Sequence, residues 1–470
     1  MKFRIEALVI LLLLSPIQLL AETDGELSLK DSLLKLKTIP LLDIHTINGE
    51  EPTCDYIDKY HRPPGTIGEG ITNCTKVPSR CIIYKEGMAI YDSGDYVKGE
   101  SGATIKIRGN TSALYSNKKP YKLKLQKKAD LLFRDGGDYK IKDWVLLKGE
   151  TLNEVISWQV NRLLDFSWTP NAMYVNVFVN GDYRGIYLLC EPIKRGSSLI
   201  DVDKNSGFIF EYDPYWWNED MYVPSSFDYQ FQYSFKYPEA EDFTQDQLTY
   251  ITDYCEKMEK AIIDGGYDQY IDVKSFALWF IGHDVLGTGD CAGSNKFLVK
   301  ESEKGLVKMG PMWDFDSIEM EYEKWAQIHY VIPYGTVLFG SVDNTFVCEY
   351  VNQWHECKAT LEKGMLLYLD ELSGDTQFLE EIDLSRVKNA KRWTYELVTT
   401  NEELAQHKKW FNERFEWLDQ EIAKLKIETS IYPLHRITES QKMYDLRGNS
   451  IMHPKGVYIK NGKLYIEKKN

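Results

Sequence analysis

Apolar and polar positions alternate through most of the chain's first half, and a spacing of three to four residues takes over from about residue 242. In "ATIKIRGN", Ile105 and Ile107 face one way while Lys106 and Arg108 face the other, the pattern of a half-buried strand. "KKPYKLKL" repeats it, with Tyr121, Leu123 and Leu125 set against Lys122 and Lys124. "IPLLDIHTINGEEP" reads as a strand closed by Asn48-Gly49, and "AMYVNVFVNGDYRGIYLLCEPI" as a β-hairpin turning at Asn180-Gly181. "GFIFEYD" adds a further strand to this front sheet, and one helix is expected near Thr151 to Leu164.

Helical periodicity then dominates. "DFTQDQLTYITDYCEKMEKAIIDGG" places Leu248, Ile251, Cys255, Met258 and Ile262 on one face and stops at paired glycines. "SFALWFIGHDVLG" is apolar nearly all round, which predicts burial at the centre of a lobe. A long amphipathic helix follows from about Asn401, presenting Trp410, Phe411, Phe415, Leu418 and Ile422. The tail from about residue 427 returns to short strands between the turn signals Gly448-Asn449 and Asn461-Gly462.

The two ends of the 470-residue chain change the picture only in part. "MKFRIEALVILLLLSPIQLLAET" has Lys2 and Arg4 before a short, interrupted apolar run, the composition of a secretory signal peptide over residues 1–21. No later stretch is long and apolar enough for a spanning helix, so the mature chain is expected to be exported. Its destination would be the periplasm, the cell surface or the medium. A net charge of −15 argues against nucleic acid as a partner. Eight cysteines without a C-x-x-C pair argue against a zinc ribbon or a thioredoxin-like site. Cys54, Cys74 and Cys81 can supply one disulfide, Cys348 and Cys357 another, and free thiols are the alternative for all of them. "HEC" at His355 lacks the second histidine of a zincin helix, since Ala359 stands there.

The candidate chemistry lies in "GDCAGSNKFLVKESEKGLVKMGPMWDFD". Asp290 precedes Asn295 by five positions, a hairpin follows, and Asp314-Phe315-Asp316 closes the stretch. Order and spacing match the protein-kinase arrangement of catalytic Asp-x4-Asn, hairpin and metal-binding Asp-Phe. Asp290 would orient the attacking hydroxyl, while Asn295 and Asp314 would hold Mg²⁺ or Mn²⁺, with Asp316 a further ligand or a supporting partner. Each motif has a plainer use, because Asp at a turn or a helix start is common. The argument rests on their combination within a β-rich half followed by a helical half.

The segments "IKIRGNTS", "KKPYKLKL", "DWVLLK", "VFVNGDYRGIYLLCEPI", "GDCAGSN" and "GPMWDFD" resemble, in family order, the CotH kinase-like proteins, from about Ile105 to Trp417. The resemblance implies an α+β, atypical protein-kinase-like two-lobe fold, with a β-rich N-terminal lobe, a mainly helical C-terminal lobe and a small β tail. The domains expected are residues 22–100 as a β-rich segment, 101–426 as the kinase-like unit and 427–470 as the tail. It also implies ATP-dependent phosphorylation of serine or threonine in a protein substrate exported with the chain or met at the cell surface. Lys124 falls where a kinase keeps its phosphate-binding lysine; Lys119 and Arg108 are further phosphate candidates, and Glu191 a partner for a lysine or the ribose. The chain departs from the pattern in having no G-x-G-x-x-G loop. It also reads "KGETLNEVISW" where many relatives carry an Asp and a basic residue, so that Asn153 stands near that Asp. The tail is similar to C-terminal segments of exported Bacteroidetes proteins. Two other readings remain open: a non-catalytic kinase-like shell acting in adhesion or coat assembly, and thiol chemistry by Cys291 with His283.

Overall fold

The computed structural model describes residues 28–55, 73–227, 230–288, 291, 294–316, 320, 324–326, 333–340 and 344–425, and the backbone of four short strands between 443 and 466. The leader at 1–21, Asp290 and both tail turns, Gly448-Asn449 and Asn461-Gly462, lie outside the described residues.

Helix α1 (Leu29–Leu34) leads into β1 (Leu41–Thr46), and short strands β2 (Cys54–Asp55) and β3 (Asn73–Cys74) are joined by the Cys54–Cys74 disulfide. Strands β4 (Val77–Lys85), β5 (Met88–Asp92) and β6 (Ala103–Ile107) follow. After the short helix α2 (Thr111–Tyr115) come β7 (Tyr121–Ala129), β8 (Ile141–Leu147), helix α3 (Asn153–Leu163) and the hairpin β9 (Ala172–Val179) and β10 (Asp182–Cys190). Hydrogen bonding runs β1-β9-β10-β8-β7-β6-β4, and β4 returns to β1, so seven strands close into a barrel with β5 attached outside. The expected front sheet thus closes into a barrel, and closure removes the exposed edges an open sheet would leave. The boundary expected at residue 100 falls inside it, because β1 and β4 are staves of the same barrel as β6 to β10.

Strand alternation builds this barrel. Ile44, Ile83, Ile105, Leu123, Trp144 and Val177 fill the interior, each almost wholly shielded. Burying each contributes about 2 kcal/mol. On the outside of β8 and β10, Val145, Leu147 and Leu188 join the larger core with Ile156 and Val160 of α3. The β9–β10 turn is as expected, with positive φ at both Asn180 and Gly181.

The second half has its own sheet, ordered β12-β13-β11-β14-β15 from β11 (Phe208–Asp213), β12 (Tyr222–Val223), β13 (Gln232–Tyr237), β14 (Phe297–Lys300) and β15 (Val307–Met309). "GFIFEYD" is therefore β11, paired with the β14–β15 hairpin rather than with the front sheet. Helices α4 (Gln245–Asp264), α5 (Val273–Leu286), α6 (Pro333–Phe339), α7 (Thr345–Gly374), α8 (Thr376–Trp393) and α9 (Thr400–Ile422) complete a mixed α+β chain, helical in its later part. Thr244 with Gln247 forms a capping box on α4, and Thr399 with Glu402 another on α9. The tail strands form a separate four-stranded sheet. Cys81 is a buried thiol outside any disulfide, and Cys348 and Cys357, likewise not disulfide-bonded, both lie on α7. Two cysteines nine positions apart on a continuous helix are too distant to bridge, which corrects that pairing. Among the described residues no helix is long and apolar enough to cross a membrane.

Candidate active site

Two non-glycine residues with left-handed backbone mark the site. Helix α5 is capped at its start by Asp272, which accepts from Ser275 N at 2.9 Å, and at its end by Gly287. Gly287 has φ 64°, and a Cβ there would strike the Trp410 ring. The chain then passes the Asp290 segment and reaches Asn295, whose φ is 67°. The β14–β15 hairpin carries it out and back to Asp314, with φ 69°. An L-residue in this region costs about 1 kcal/mol, and two such residues facing each other are a feature the surrounding fold must hold. Asn295 Nδ2 lies 3.2 Å from Asp314 Oδ2. Glu211 on β11 accepts from Asn295 N at 2.9 Å and pairs with Lys236 at 3.1 Å.

Carboxylates converge on this point. Glu154, in the first turn of α3, is buried and accepts from Phe315 N at 3.1 Å through one oxygen. Its other oxygen has no hydrogen-bond partner among the described residues. Burial pushes its pKa well above the usual carboxylate range; Asp314 and Asp316 push it further, and Arg108 opposes them. Asp316 pairs with Lys148 at 3.1 Å. Two residues along β11 from Glu211, Asp213 is raised to about 7, by burial first and by Glu211 next, although it accepts from Tyr215 N and Ser234 Oγ.

Of the residues picked out from sequence, the structure brings together Asn295, Asp314 and Asp316, with Arg108 within electrostatic reach through Glu154. The others are placed elsewhere. Lys119 caps α2, donating to Ala113 O at 2.8 Å and Leu114 O at 3.1 Å. Glu191 is fully buried, paired with Arg134 at 2.7 Å and accepting from Asn171 N and Nδ2, so its partner is an arginine, neither a lysine nor a ribose. Lys124 is exposed on β7 opposite Asp143, and the acids it acts on are Asp143 and Glu239. His283 Nδ1 meets Thr288 Oγ1 at 2.6 Å, and Cys291 Sγ donates to Thr288 O at 2.9 Å. Burial lowers the histidine's pKa to about 3, so it is neutral. His283 and Cys291 are both buried, an arrangement of packing rather than of an accessible nucleophile.

Glu154, Glu211 and Lys148 escaped the sequence reading. Glu154 sits one residue beyond Asn153, where relatives were expected to carry an acid, and that position was the available signal. Asn153 itself meets His407 Nε2 at 3.1 Å. Glu211 lies on a strand assigned to the wrong sheet. Neighbouring rings hold the loop: Trp313 lies 5.6 Å from Trp158, and Phe315 6.0 Å from His283, between centroids.

The donor set suits a hard divalent cation. Asp314 supplies a carboxylate, and Asn295 would supply its amide oxygen after a half-turn of that group. Asp314 and Asp316 disfavour the charged form of Glu154, and a cation held beside them would offset that repulsion. Among the described residues no three His, Cys, Asp or Glu side chains form a metal cluster. Asp290 and the Asn295 amide are not part of that count.

These features define a kinase-like α+β protein. Residues 105–333 match the family model described as CotH kinase protein, so the resemblance read from the motifs is shown over that stretch. The likeness expected to continue to Trp417 extends past the match. No curated protein matches the chain. Among solved structures it is similar to a chain of the Shewanella oneidensis MR-1 toxin–antitoxin complex of HipA, HipB and operator DNA. That likeness has 12% identity and covers 82% of this chain and 74% of the other, at a TM-score of 0.29, too low to support an argument.

Proposed function

We propose that the chain is an exported phosphotransferase that moves the γ-phosphoryl group of ATP to a serine or threonine hydroxyl of a partner protein. The observation that carries this reading is the Asn295–Asp314 contact across the β14–β15 hairpin, set among buried carboxylates. Asp314 and Asn295 would hold Mg²⁺ or Mn²⁺, which would neutralise charge on the β- and γ-phosphates. Asp290 would align the hydroxyl. As its oxygen bonds to the γ-phosphorus, the proton passes to Asp290, and the electrons of the breaking P–O bond leave with ADP. Glu154, anchored on Phe315 N, fixes the Asp314 loop from behind. The Cys54–Cys74 disulfide supports an oxidising destination, the cell envelope or beyond.

The test is transfer from labelled ATP, with Mg²⁺ or Mn²⁺, to the protein itself or to a generic acceptor. Wild type should label and Asp314→Ala should not. Asp290→Asn should lose transfer while keeping much of the nucleotide affinity. Absence of transfer and of nucleotide binding under every metal condition would leave a non-catalytic coat or adhesion shell as the better reading.

A further inference from the structure

Outside the carboxylate site, the feature most in need of a cause is a pair of lysines. Lys106 on β6 and Lys122 on β7 are directly opposed in the ladder, on the outer face of the barrel. Like charges at such positions repel and weaken the pairing. Lys106 is half-buried, and its proton is disfavoured by burial first, then by Lys122, Lys76 and Arg108, with only the exposed Glu219 in its favour. Lys122 is partly offset by Asp143 at 3.2 Å, which is also held by Lys194 at 3.1 Å. The cationic patch continues to Arg108, whose charge also acts on Glu154 beside Asp314. A basic face on a chain of net charge −15 thus lies within electrostatic reach of Glu154 and the acids beside it.

That polarity matches one kind of ligand: a polyphosphate chelated to a divalent cation, whose metal end seeks carboxylates and whose remaining oxygens seek ammonium and guanidinium groups. We infer that Lys106 and Lys122, with Arg108 as the bridge to the acids, receive the phosphate tail of the nucleotide, in place of Lys124. This rests on the phosphotransferase reading, but it assigns the phosphates to two lysines, on the same outer face as Lys124, that the sequence motifs did not indicate. The repulsion tolerated between the lysines is then relieved on binding.

The experiment is titration of the full chain with AMP, ADP and ATP in Mn²⁺, together with thermal melting without nucleotide. Lys106→Met should weaken ATP binding about tenfold or more, ADP less, and AMP little, because the lost contact scales with phosphate number. Without nucleotide the same variant should melt higher than wild type, since a repelled, half-buried charge is gone. Lys122→Met should repeat the graded loss of affinity, and Lys128→Met, on the exposed end of β7, should bind all three as wild type does. Wild type that binds no nucleotide overturns both this inference and the phosphotransferase reading. Wild type that binds ATP, with Lys106→Met and Lys122→Met binding equally well, overturns this inference alone. A uniform loss across AMP, ADP and ATP, or a lower melting temperature for Lys106→Met, also overturns it, since either result marks Lys106 as structural.

Discussion

Two regions of the molecule bury ionisable groups in opposite ways. Where α5, α7 and α9 meet, Asp284 accepts from Ala326 N at 2.9 Å and from Tyr350 OH at 2.8 Å. Arg414 donates to Asp284 O at 2.5 Å and Lys324 O at 2.6 Å, between the rings of Trp410 and Trp417. Burial lowers the arginine's pKa to about 10, leaving it charged at neutral pH, and the nearby Asp284 supports that charge. At the β14–β15 hairpin, by contrast, Asp314 and Asp316 disfavour the charge of the buried Glu154, one Glu154 oxygen has no partner among the described residues, and two L-residues hold positive φ. In the first region a buried cation sits beside a carboxylate that supports it; in the second, like-charged acids crowd a buried carboxyl. Strain and repulsion of this kind persist where a ligand completes them.

The sharpest way to break the contrast is to remove the buried cation. Arg414→Met should destabilise the chain by about 3–5 kcal/mol, the usual consequence of leaving buried acceptors and an opposed carboxylate without their partner. Equilibrium denaturation measures it, and a loss below 1 kcal/mol would show that the joint is not held by charge. Asp314→Ala tests the other side. It should reduce phosphoryl transfer on the order of a hundredfold or more. Its melting temperature should stay level or rise, because Glu154 loses a repelling neighbour. A variant that lost stability in step with activity would make Asp314 a structural residue like Asp284.

Why the barrel was readable and the acid cluster only half so follows from the range of the interactions. Ile105, Leu123 and Val177 announce themselves by period two, a signal that each strand carries alone. That β4 closes on β1 is a relation between strands more than thirty residues apart, and alternation does not encode it. Asn295 and Asp314 were legible because one hairpin brings them together. Glu211 and Glu154 come from 84 and 161 residues away along the chain, from Asn295 and Phe315 respectively, and they enter through pairing and helix packing. Lys124 was chosen by motif position, yet its ladder partner is Asp143, which turns its charge toward a different acid.

A smaller effect separates the regions by pH. Asp213 belongs to the crowded acids, with its folded pKa raised to about 7 from an ordinary value near 4. A raised carboxyl favours the fold while protonated, so its contribution is full below about pH 4 and declines as pH climbs toward 7. Asp213→Asn keeps an acceptor for Tyr215 N and a group for Ser234 Oγ without the charge. Its stability relative to wild type should therefore rise between pH 4 and 7 and level off above, by about 1–2 kcal/mol. Denaturation curves at several pH values report this directly, and a difference that is flat with pH would mean that Asp213 is not raised.

The smallest effect concerns Cys291, which lies between the two regions in the chain. Its thiol donates to Thr288 O, and Thr288 in turn meets His283, whose ring touches Phe315. If this line of contacts belongs to packing, Cys291→Ser is tolerated, because a hydroxyl donates to the same carbonyl and is slightly smaller. The expected change in stability is below about 1 kcal/mol, with transfer within a factor of two or three of wild type. A thiol nucleophile would behave otherwise, since serine beside a neutral, buried histidine would be nearly inert. Abolition of activity by Cys291→Ser, with Asp290→Asn still active, would therefore place the chemistry at sulfur, and the carboxylates of the hairpin would lose their assigned role.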